Sequence, residues 1–360
     1  MPVAARASRP IATVLFGAAF LLSACTGGSS ATPVSIPPDA TASAIPPAAG
    51  TPKPAIPSQT PVAAATFPLT VTDDEGTAVD LKAAPQKIVS LTPATTEILF
   101  AIGAGARTVG KVEDFTPYPP EADGLPVVAK FGSVDVEQIV NLGADLVIAG
   151  GNGFNPPEAI TQLRKAGIPV VVTYATDVKG VLKDIELVGE AVDEGPAARD
   201  LTASMQAGFD QVAAATKGLP TPKTFYELDA TKEIYGPAKD SFIAQMIGLA
   251  GGTPVTTEDP AVFAIPLEKL VAADPEIIVL GDAAYGTTPA VVAGRAGWDK
   301  MTAVKDGAIR PADDTVISRP GPRLVQGLQA LAVAIHPELA AMFPQPTPTA
   351  SPAASGSTAP

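Results

Sequence analysis

Cysteine, histidine and tryptophan are almost absent from this 360-residue chain, which contains one of each. A disulfide within the chain needs two cysteines, so internal oxidative cross-linking is excluded. Transition-metal sites are built mainly from Cys and His side chains, so no metal site is expected in the folded part. Serine or cysteine nucleophiles need an adjacent base, and the one histidine, His336, lies near the end of the chain. Hydrolysis by paired carboxylates is the enzymatic alternative that this composition leaves open.

Basic and aromatic residues are also scarce. The chain has 24 Lys and Arg against 37 Asp and Glu, a formal net charge of −13, and aromatic residues make up only 5% of it. A protein that binds nucleic acid needs a basic patch, and no cluster of Lys or Arg occurs here, so a nucleic-acid partner is not expected. The excess negative charge favours solubility and repels anionic lipid head groups.

The N-terminus has the features of a secretory signal. Two arginines precede an apolar run at residues 11–22, which is too short to span a bilayer stably, and the small residue Ala24 follows. Residues 22–25, LSAC, look like a bacterial lipobox, which predicts cleavage before Cys25 and a diacylglycerol on its thiol. We therefore predict a signal peptide at 1–24 and an extracytoplasmic protein that is anchored to the cell membrane only through its lipid. A plain signal peptide with an incidental cysteine is the alternative.

Composition divides the rest of the chain. Residues 25–66 are rich in Pro, Ala, Ser and Thr and contain almost no charge, so they are predicted to form an extended, disordered tether after the lipidated cysteine. Residues 344–360 have a similar composition and are also predicted to be disordered. The remainder is long enough for two domains. We predict an N-terminal lobe at 67–195, a connecting helix at 196–217 and a C-terminal lobe at 218–343.

The folded part contains an internal repeat. Residues 133–150, SVDVEQIVNLGADLVIAG, align with residues 264–281, AIPLEKLVAADPEIIVLG. The offset of 131 places Glu137 on Glu268. Each copy predicts a short helix that begins near the Glu, followed by a buried strand. A solenoid would repeat every 20–50 residues or so, and this much wider spacing instead indicates two similar α/β lobes with a cleft between them.

Apolar runs of strand length alternate with helical patterns through both lobes. This alternation predicts an α/β fold with a mostly parallel sheet flanked by helices in each lobe, and ligands at the carboxyl ends of the strands. Thr92 is predicted to cap a helix that begins at Pro93, and Asn155 to cap one that begins at Pro156. The predicted strands are 87–91, 146–149, 168–173, 224–228 and 276–280, and further predicted helices are 178–192, 240–249, 266–272 and 321–335.

Five segments, in the same order, resemble a known family. They are KIVSLTPATTEILFAIGAG, YPPEA, VEQIVNLGADLVIA, GWDKMTAVKDGAI and SRPGPRLVQGLQAL. The set is similar to the periplasmic binding proteins that serve ABC importers of cobalamin, iron-siderophore complexes and haem. The resemblance implies two lobes joined by one long helix, with a metal-chelate ligand held between them. It also implies a monomer without enzymatic activity or resident cofactor, which acts with a membrane permease and its ATPase.

The resemblance assigns a role to the repeated glutamates. It implies that Glu137 and Glu268 dock onto arginines of the permease. A Glu in the first turn of a helix stabilises the helix dipole by about 0.3–1 kcal/mol, which would explain either residue without any further function. Their occurrence at the same place in both copies favours a paired role, and carboxylates suit bidentate pairing with arginine.

Candidate ligand contacts follow from the cobalamin-binding pattern of the same family. Phe115 and Phe131 fall where that pattern has aromatic rings that contact the ligand, and Tyr235 and Phe263 lie near the aromatic positions of the second lobe. Flat corrin, porphyrin or catecholate surfaces bury well against such rings. Packing in the core is the alternative for each Phe.

The segment SRPGPR and a glycine-rich segment complete the candidate cleft. An arginine fork binds carboxylate or phosphate, so Arg319 is predicted to face the cleft. The alternative is local pairing of Arg319 and Arg323 with Asp313 and Asp314. Residues 150–155, GGNGFN, lack the spacing of a nucleotide-binding loop and are predicted to form a turn at the cleft mouth. The YPPEA segment and the aromatic positions favour cobalamin as the ligand, followed by a ferric siderophore and then haem.

Overall fold

The computed structural model describes residues 66–151 and 153–345, which lie within one compact unit, Gln59–Pro360. The predicted signal peptide, Cys25, all but the last residue of the tether and residues 346–360 lie outside the described residues. None of the described helices is long and apolar enough to cross a membrane.

The N-terminal lobe is built on a six-stranded sheet that is parallel except at one edge, where the last pair is antiparallel. Its central strands are buried on both faces, as expected for a parallel sheet covered by helices. The strands are β1 (Leu69–Thr72), β2 (Ala78–Leu81), β3 (Ile88–Ser90), β4 (Thr108–Val112), β5 (Val127–Lys130), β6 (Ser133–Val134), β7 (Leu146–Gly150) and β8 (Val170–Thr173), and the helices are α1 (Pro93–Ala101), α2 (Val136–Asn141), α3 (Pro157–Lys165) and α4 (Val178–Ala191). The sheet order is β6-β5-β4-β3-β7-β8, and β1 and β2 form a separate antiparallel hairpin.

One long helix, α5 (Gly195–Thr216), runs from the first lobe to the second. The sequence predicted it at 196–217, one residue later at each end. Its buried residues include Phe209 and Val212 at helical spacing. It packs against α4 of the N-terminal lobe and against the helix Leu324–Ile335 of the C-terminal lobe, so it belongs to the core of both.

The C-terminal lobe contains a smaller, entirely parallel sheet of four strands. The strands are β9 (Lys223–Glu227), β10 (Thr253–Pro254), β11 (Ile277–Leu280) and β12 (Ile309–Pro311), and the helices are α6 (Phe242–Leu249), α7 (Leu267–Ala273), α8 (Pro289–Ala293), α9 (Thr302–Lys305), α10 (Asp314–Ile317) and α11 (Leu324–Ile335). The sheet order is β10-β9-β11-β12. The central pair β9–β11 thus corresponds to β3–β7 of the first lobe.

The internal repeat is also a repeated three-dimensional unit. In each lobe a short helix, α2 or α7, leads into a central strand, β7 or β11. Just before β7, Asp145 accepts hydrogen bonds from the backbone amides of Gln86 and Lys87 (2.8 and 2.9 Å). Just before β11, Glu276 accepts one from the amide of Lys223 (2.9 Å). The acid therefore fixes the start of the neighbouring strand in both lobes.

A pair of lysines makes the similarity closer still. Lys87 Nζ donates to the carbonyl of Leu142 at the end of α2 (3.2 Å), and Lys223 Nζ donates to the carbonyl of Ala273 at the end of α7 (2.9 Å). A cation at a helix C-terminus satisfies unpaired carbonyls and complements the helix dipole. The lobes therefore share the same local chemistry around the repeated helix as well as the same order of elements.

The prediction that Asn155 caps α3 is wrong. Helix α3 begins at Pro157 and Pro156 occupies the capping position. Asn155 is buried, where its Oδ1 accepts from the amide of Gly150 (2.7 Å) and its Nδ2 donates to the carbonyl of Leu91 (3.2 Å). Buried backbone groups at the ends of β3 and β7 need hydrogen-bond partners, and the Asn155 amide supplies them.

Asp184 of α4 is a buried carboxyl group beside Asp74 in the turn of the N-terminal hairpin. Burial raises the pKa of Asp184 to about 8, and the hydrogen bond and charge of Asp74 add to the shift. Burial opposes ionisation of Asp74 too, but hydrogen bonds from Asp184, the Tyr174 amide and Lys183 lower its pKa. Asp184 therefore keeps its proton at neutral pH and donates it to the Asp74 carboxylate.

This pair predicts a pH-dependent stability. Between the ordinary pKa of 3.8 and about 8, the folded chain keeps a proton on Asp184 that the unfolded chain has released, so stability should fall as the pH rises through this range. Asp184→Asn still donates a hydrogen bond but cannot ionise, and it should flatten the fall in Tm measured across the range. Asp123→Asn, at an exposed site, is the control and should keep the wild-type slope. An unchanged slope in Asp184→Asn would contradict the assignment.

Candidate ligand-binding cleft

A cavity of about 490 Å³ opens at the carboxyl ends of β3, β7 and β8. The loops that follow parallel strands gather at this edge of a sheet, where ligands usually bind. Most of the wall belongs to the N-terminal lobe, and residues 318–320 of the C-terminal lobe form the remainder. The volume lies in the range of small-molecule sites. The cavity is therefore a cleft to which both lobes contribute.

Close packing of two strand ends shapes the floor of the cavity. Thr92 caps α1, as predicted, because its hydroxyl accepts a hydrogen bond from the Thr95 amide (3.0 Å). Gly150 ends β7 beside it, and a Cβ at Gly150 would lie 2.6 Å from the Thr92 methyl carbon. Glycine is needed at this strand end for that close approach. Within the segment 150–155, predicted to be a turn at the cleft mouth, Gly150, Gly151, Gly153 and Phe154 line the cavity.

An aromatic pair forms one side of the wall. Phe131, one of the predicted ligand contacts, lies in the wall beside Phe154 of the glycine-rich turn. Their ring centroids are 5.8 Å apart and their planes meet at 87°, an edge-to-face contact. Phe131 is nevertheless 84% exposed, which argues against core packing as its role. A large apolar ring held at the edge of a cavity is suited to cover a ligand.

The other three predicted aromatic contacts lie outside the wall of this cavity. Phe115 is 88% exposed on the loop that follows β4. Tyr235 and Phe263 lie on neighbouring segments of the C-terminal lobe, because Tyr235 forms an antiparallel bridge with Ala264. Phe263 is partly exposed, and the Tyr235 hydroxyl donates to Glu233 (2.9 Å). Contact of these three residues with a ligand stays a prediction.

Arg319 lies in the cavity wall, and its guanidinium is paired with acids of the other lobe. Arg319 Nη1 donates to Glu97 Oε1 (2.8 Å) and Asp114 Oδ2 (3.0 Å), and Nη2 donates to Asp114 Oδ1 (3.1 Å). Arg323 donates through Nε and Nη2 to the same Glu97 carboxylate (2.9 and 2.7 Å). Glu97 is only 2% exposed. We call these four residues the interlobe cluster; its two cations and two anions leave no net charge.

The alternative for the arginines, local pairing with Asp313 and Asp314, is wrong. Asp313 caps α10 by accepting from the Thr315 amide (3.0 Å), and Asp314 accepts from the Tyr226 hydroxyl (2.8 Å). The arginines turn instead to the N-terminal lobe, because the buried Glu97 accepts a bidentate hydrogen-bond pair there.

Arg323 is held as a cation by its surroundings. Burial alone would lower its pKa, but the hydrogen bond and charge of Glu97 outweigh burial and raise the pKa above its ordinary value. The ring of Tyr118, in the YPPEA segment, lies over the guanidinium at 4.1 Å, a favourable cation–π distance. The loop after β4 is thereby fixed to the C-terminal lobe by Tyr118 as well as by Asp114.

A model of the periplasmic binding protein family matches residues 88–315, which is more than half of the chain. The chain belongs to the periplasmic binding protein family. Its relatives include the ABC transporter substrate-binding lipoprotein YvrC of Bacillus subtilis, 32% identical over 277 residues that cover 76% of this chain and 87% of YvrC. The cobalamin-binding protein of Halobacterium salinarum is 30% identical over 287 residues, covering 76% of this chain and 75% of that protein.

A solved structure supports the same grouping. The haem-binding protein RhuT of Roseiflexus sp. RS-1 matches with a TM-score of 0.62 at 26% identity, over 70% of this chain and 98% of RhuT. The family resemblance and the two-lobed α/β fold expected from the sequence are therefore confirmed.

The repeated glutamates occupy equivalent surface positions in this periplasmic binding protein. Glu137 is the second residue of α2 and Glu268 the second residue of α7, and both are exposed. Within the described residues, neither carboxylate forms a hydrogen bond or an ion pair with another side chain. Both are therefore accessible to a partner.

The lone histidine is not part of the cavity wall. His336 is buried at the end of α11, with Nε2 at 3.2 Å from the carbonyl oxygen of Gly251. Across residues 66–151 and 153–345, no group of three or more His, Cys, Asp or Glu side chains is arranged to hold a metal ion.

Proposed function

We propose that this protein is the extracytoplasmic substrate-binding component of an ABC importer and that it captures a metal-chelate ligand, with cobalamin favoured, between its lobes. The observation that carries the proposal is the cavity at the strand ends, with the exposed Phe131 in its wall, in a member of the periplasmic binding protein family. The relatives include a substrate-binding lipoprotein of ABC transport and a cobalamin-binding protein, which support the same assignment.

The charge of the wall favours cobalamin over anionic chelates. Among the described residues that line the cavity, Arg319 alone is charged, and Glu97 and Asp114 neutralise it. An anionic ligand would have to compete with two carboxylates for this guanidinium. Haem carries propionates and ferric catecholates are polyanions, whereas the corrin ring carries neutral amides. Threonine hydroxyls and backbone groups of the wall can bond such amides.

A ferric siderophore of the hydroxamate type is the second candidate, because its complex lacks the negative charge of a catecholate. The largely apolar wall suits either ligand. A hydrolase that uses carboxylates is the weaker alternative, because Glu97 and Asp114, the acids that contact Arg319 of the wall, are occupied by the arginines.

A titration distinguishes these ligands. We expect cyanocobalamin to bind more tightly than haemin or a ferric hydroxamate. Visible absorbance and Trp298 fluorescence measure the binding of each ligand. Phe131→Ala should weaken cobalamin binding by about 2 kcal/mol, roughly thirtyfold, because a ring that covers the ligand is lost. Its Tm should change little, because the ring is exposed in the free protein.

Leu249→Ala is the matched control for this titration, since Leu249 is a partly exposed apolar residue at the end of α6 that does not line the cavity. Its affinity should equal that of the wild type. Failure of the wild type to bind any of the three ligands would refute the proposed function. Unchanged affinity of Phe131→Ala would remove that ring from the site.

We further propose that Cys25 is lipidated and that residues 26–66 tether the binding domain to the membrane. The support is the lipobox that follows a short apolar run, together with the lipoprotein relative. Replacement of Cys25 with Ser removes the thiol that would carry the lipid, so this variant should leave the membrane fraction and appear in the soluble extracytoplasmic fraction. Retention of Cys25→Ser in the membrane fraction would place the anchor elsewhere.

Delivery to the permease completes the proposal. Glu137 and Glu268 begin equivalent helices of the two lobes and lack partners within the described residues. A two-subunit permease can offer an arginine pocket to each, so that two contacts fix the orientation of the loaded protein. The ATPase of the importer would act through this permease.

A further inference from the structure

The repeat continues beyond its strands into a loop that carries an aromatic residue in both lobes. At the offset of 131 that aligns Glu137 with Glu268, Phe154 aligns with Tyr285. Each ring follows the central strand of its lobe, β7 or β11, and precedes a helix whose first residue is proline, α3 or α8. The two aromatics therefore occupy the same place in the duplicated unit.

The backbone confirms that the two loops begin with the same turn. The amide of Phe154 donates to the carbonyl of Gly151 (3.1 Å), and the amide of Tyr285 donates to the carbonyl of Asp282 (2.9 Å). In both bonds the donor lies three residues after the acceptor, and the two donors, Phe154 and Tyr285, align with each other in the repeat. The rings thus leave equivalent turns at the carboxyl ends of the two sheets.

The turn that carries Tyr285 is anchored, although the ring itself is not. Asp282 is buried and accepts a hydrogen bond from the Thr287 hydroxyl (2.7 Å), which closes the loop. Tyr285 is 88% exposed, and within the described residues its hydroxyl has no hydrogen-bond partner and its ring no aromatic contact. A large ring held out from a fixed turn is accessible to a ligand without any rearrangement of the backbone.

A chain of contacts connects this turn to the cavity. A Cβ at Gly281 would clash with the ring of Tyr226, so the start of the turn packs directly on that ring. The Tyr226 hydroxyl donates to Asp314 (2.8 Å), and Ser318, which lines the cavity, donates to the same carboxylate (2.8 Å). The start of the turn that carries Tyr285 is therefore connected, through Tyr226 and Asp314, to the part of the cavity wall that the C-terminal lobe supplies.

We infer that Tyr285 is a ligand-contacting aromatic of the C-terminal lobe, the counterpart of Phe154, and that it covers the second face of a flat conjugated ligand. This inference rests on the proposed function. Phe131 and Phe154 cover the ligand from one lobe and Tyr285 from the other, so that the ligand is enclosed between rings. The phenol keeps its hydroxyl at the rim, where it can bond a polar substituent of the ligand.

The test compares Tyr285→Ala, Tyr285→Phe and a control, Val291→Ala, in cyanocobalamin titrations. Val291 is an exposed apolar residue of the neighbouring helix α8. Tyr285→Ala should weaken binding roughly tenfold or more, Tyr285→Phe should stay within about threefold of the wild type, and Val291→Ala should match it. The Tm of the free protein should not change, because the ring is exposed.

A second readout reports contact rather than affinity. Tyr285→Trp places an exposed indole at the site, while the native Trp298 is buried. Saturating cyanocobalamin should reduce acrylamide quenching of the new indole, whereas Val291→Trp should stay accessible. Wild-type binding with unchanged affinity and unchanged quenching in the Tyr285 variants would overturn this inference alone. Absence of wild-type binding to any metal chelate would overturn the proposed function, and this inference with it.

Discussion

Glu97→Ala is expected to lower the free energy of unfolding by about 3–5 kcal/mol, because removal of one partner of a buried ion pair leaves the opposite charge uncompensated. Glu97 accepts from both Arg319 and Arg323, and its side chain is almost fully buried. Truncation leaves Asp114 to balance two guanidinium groups. The lobes also lose the contact that joins α1 to the start of α11. Urea unfolding at neutral pH measures the loss.

Two further variants make this prediction specific. Glu97→Gln keeps the shape and one acceptor but loses the charge. Its free energy of unfolding should therefore lie between that of the wild type and that of Glu97→Ala. Glu121→Ala removes an exposed glutamate from the YPPEA segment and should change stability by less than about 0.5 kcal/mol. A Glu97→Ala protein within about 1 kcal/mol of the wild type would show that the interlobe cluster contributes little to folding.

The double variant Glu137→Ala, Glu268→Ala is expected to abolish most ligand uptake while leaving ligand affinity intact. One exposed ion pair contributes only about 0.2–1 kcal/mol, so a single contact would hold the permease poorly. Two contacts in shaped pockets contribute more binding free energy than one and fix the orientation of the protein on the permease. Each single variant should therefore reduce uptake less than the double variant does. Uptake in cells and permease-stimulated ATP hydrolysis are the measurements. Complex formation should also weaken with added salt, because exposed charges are screened.

Glu158 offers a matched control for the helix-dipole explanation. It is an exposed acid in the first turn of α3, yet it has no counterpart in the other copy of the repeat, where Pro289 begins α8. If the repeated glutamates only stabilise their helices, Glu158→Ala and the double variant should both transport normally. Impaired uptake in the double variant alone would establish docking, and unimpaired uptake would return both glutamates to a structural role.

The parts of the fold that the sequence predicted well are those with a local signal. The Glu of each repeat, the apolar strand that follows and the glycine-rich turn are all close together in the chain, so periodicity was enough to place α2, β7, α7 and β11. The long helix α5 was recognisable for the same reason, through apolar residues at helical spacing. The separate hairpin β1–β2 was not predicted, because a strand of four residues is too short to show a clear alternation of apolar and polar residues.

The parts that the sequence did not predict depend on contacts between distant segments. Glu97 precedes Arg323 by more than 200 residues, and only folding shows that they meet, whereas Asp313 and Asp314 were the nearest acids in the chain. The role of Asn155 depended on which buried backbone groups lacked partners. Tyr285 does have a sequence signal, because the repeat alignment extends to it beyond the last apolar residue.

The core described for α5 has a thermodynamic consequence. One hydrophobic cluster extends from β1 through α4 and α5 into β11 and α11, so the two lobes share part of their interior, and each lobe also has a cluster of its own. An interface that is continuous and apolar couples the halves of a chain more tightly than a linker does. The protein should melt in one calorimetric transition, and neither half should fold when expressed alone. The two halves would then resemble each other in structure while depending on each other for stability.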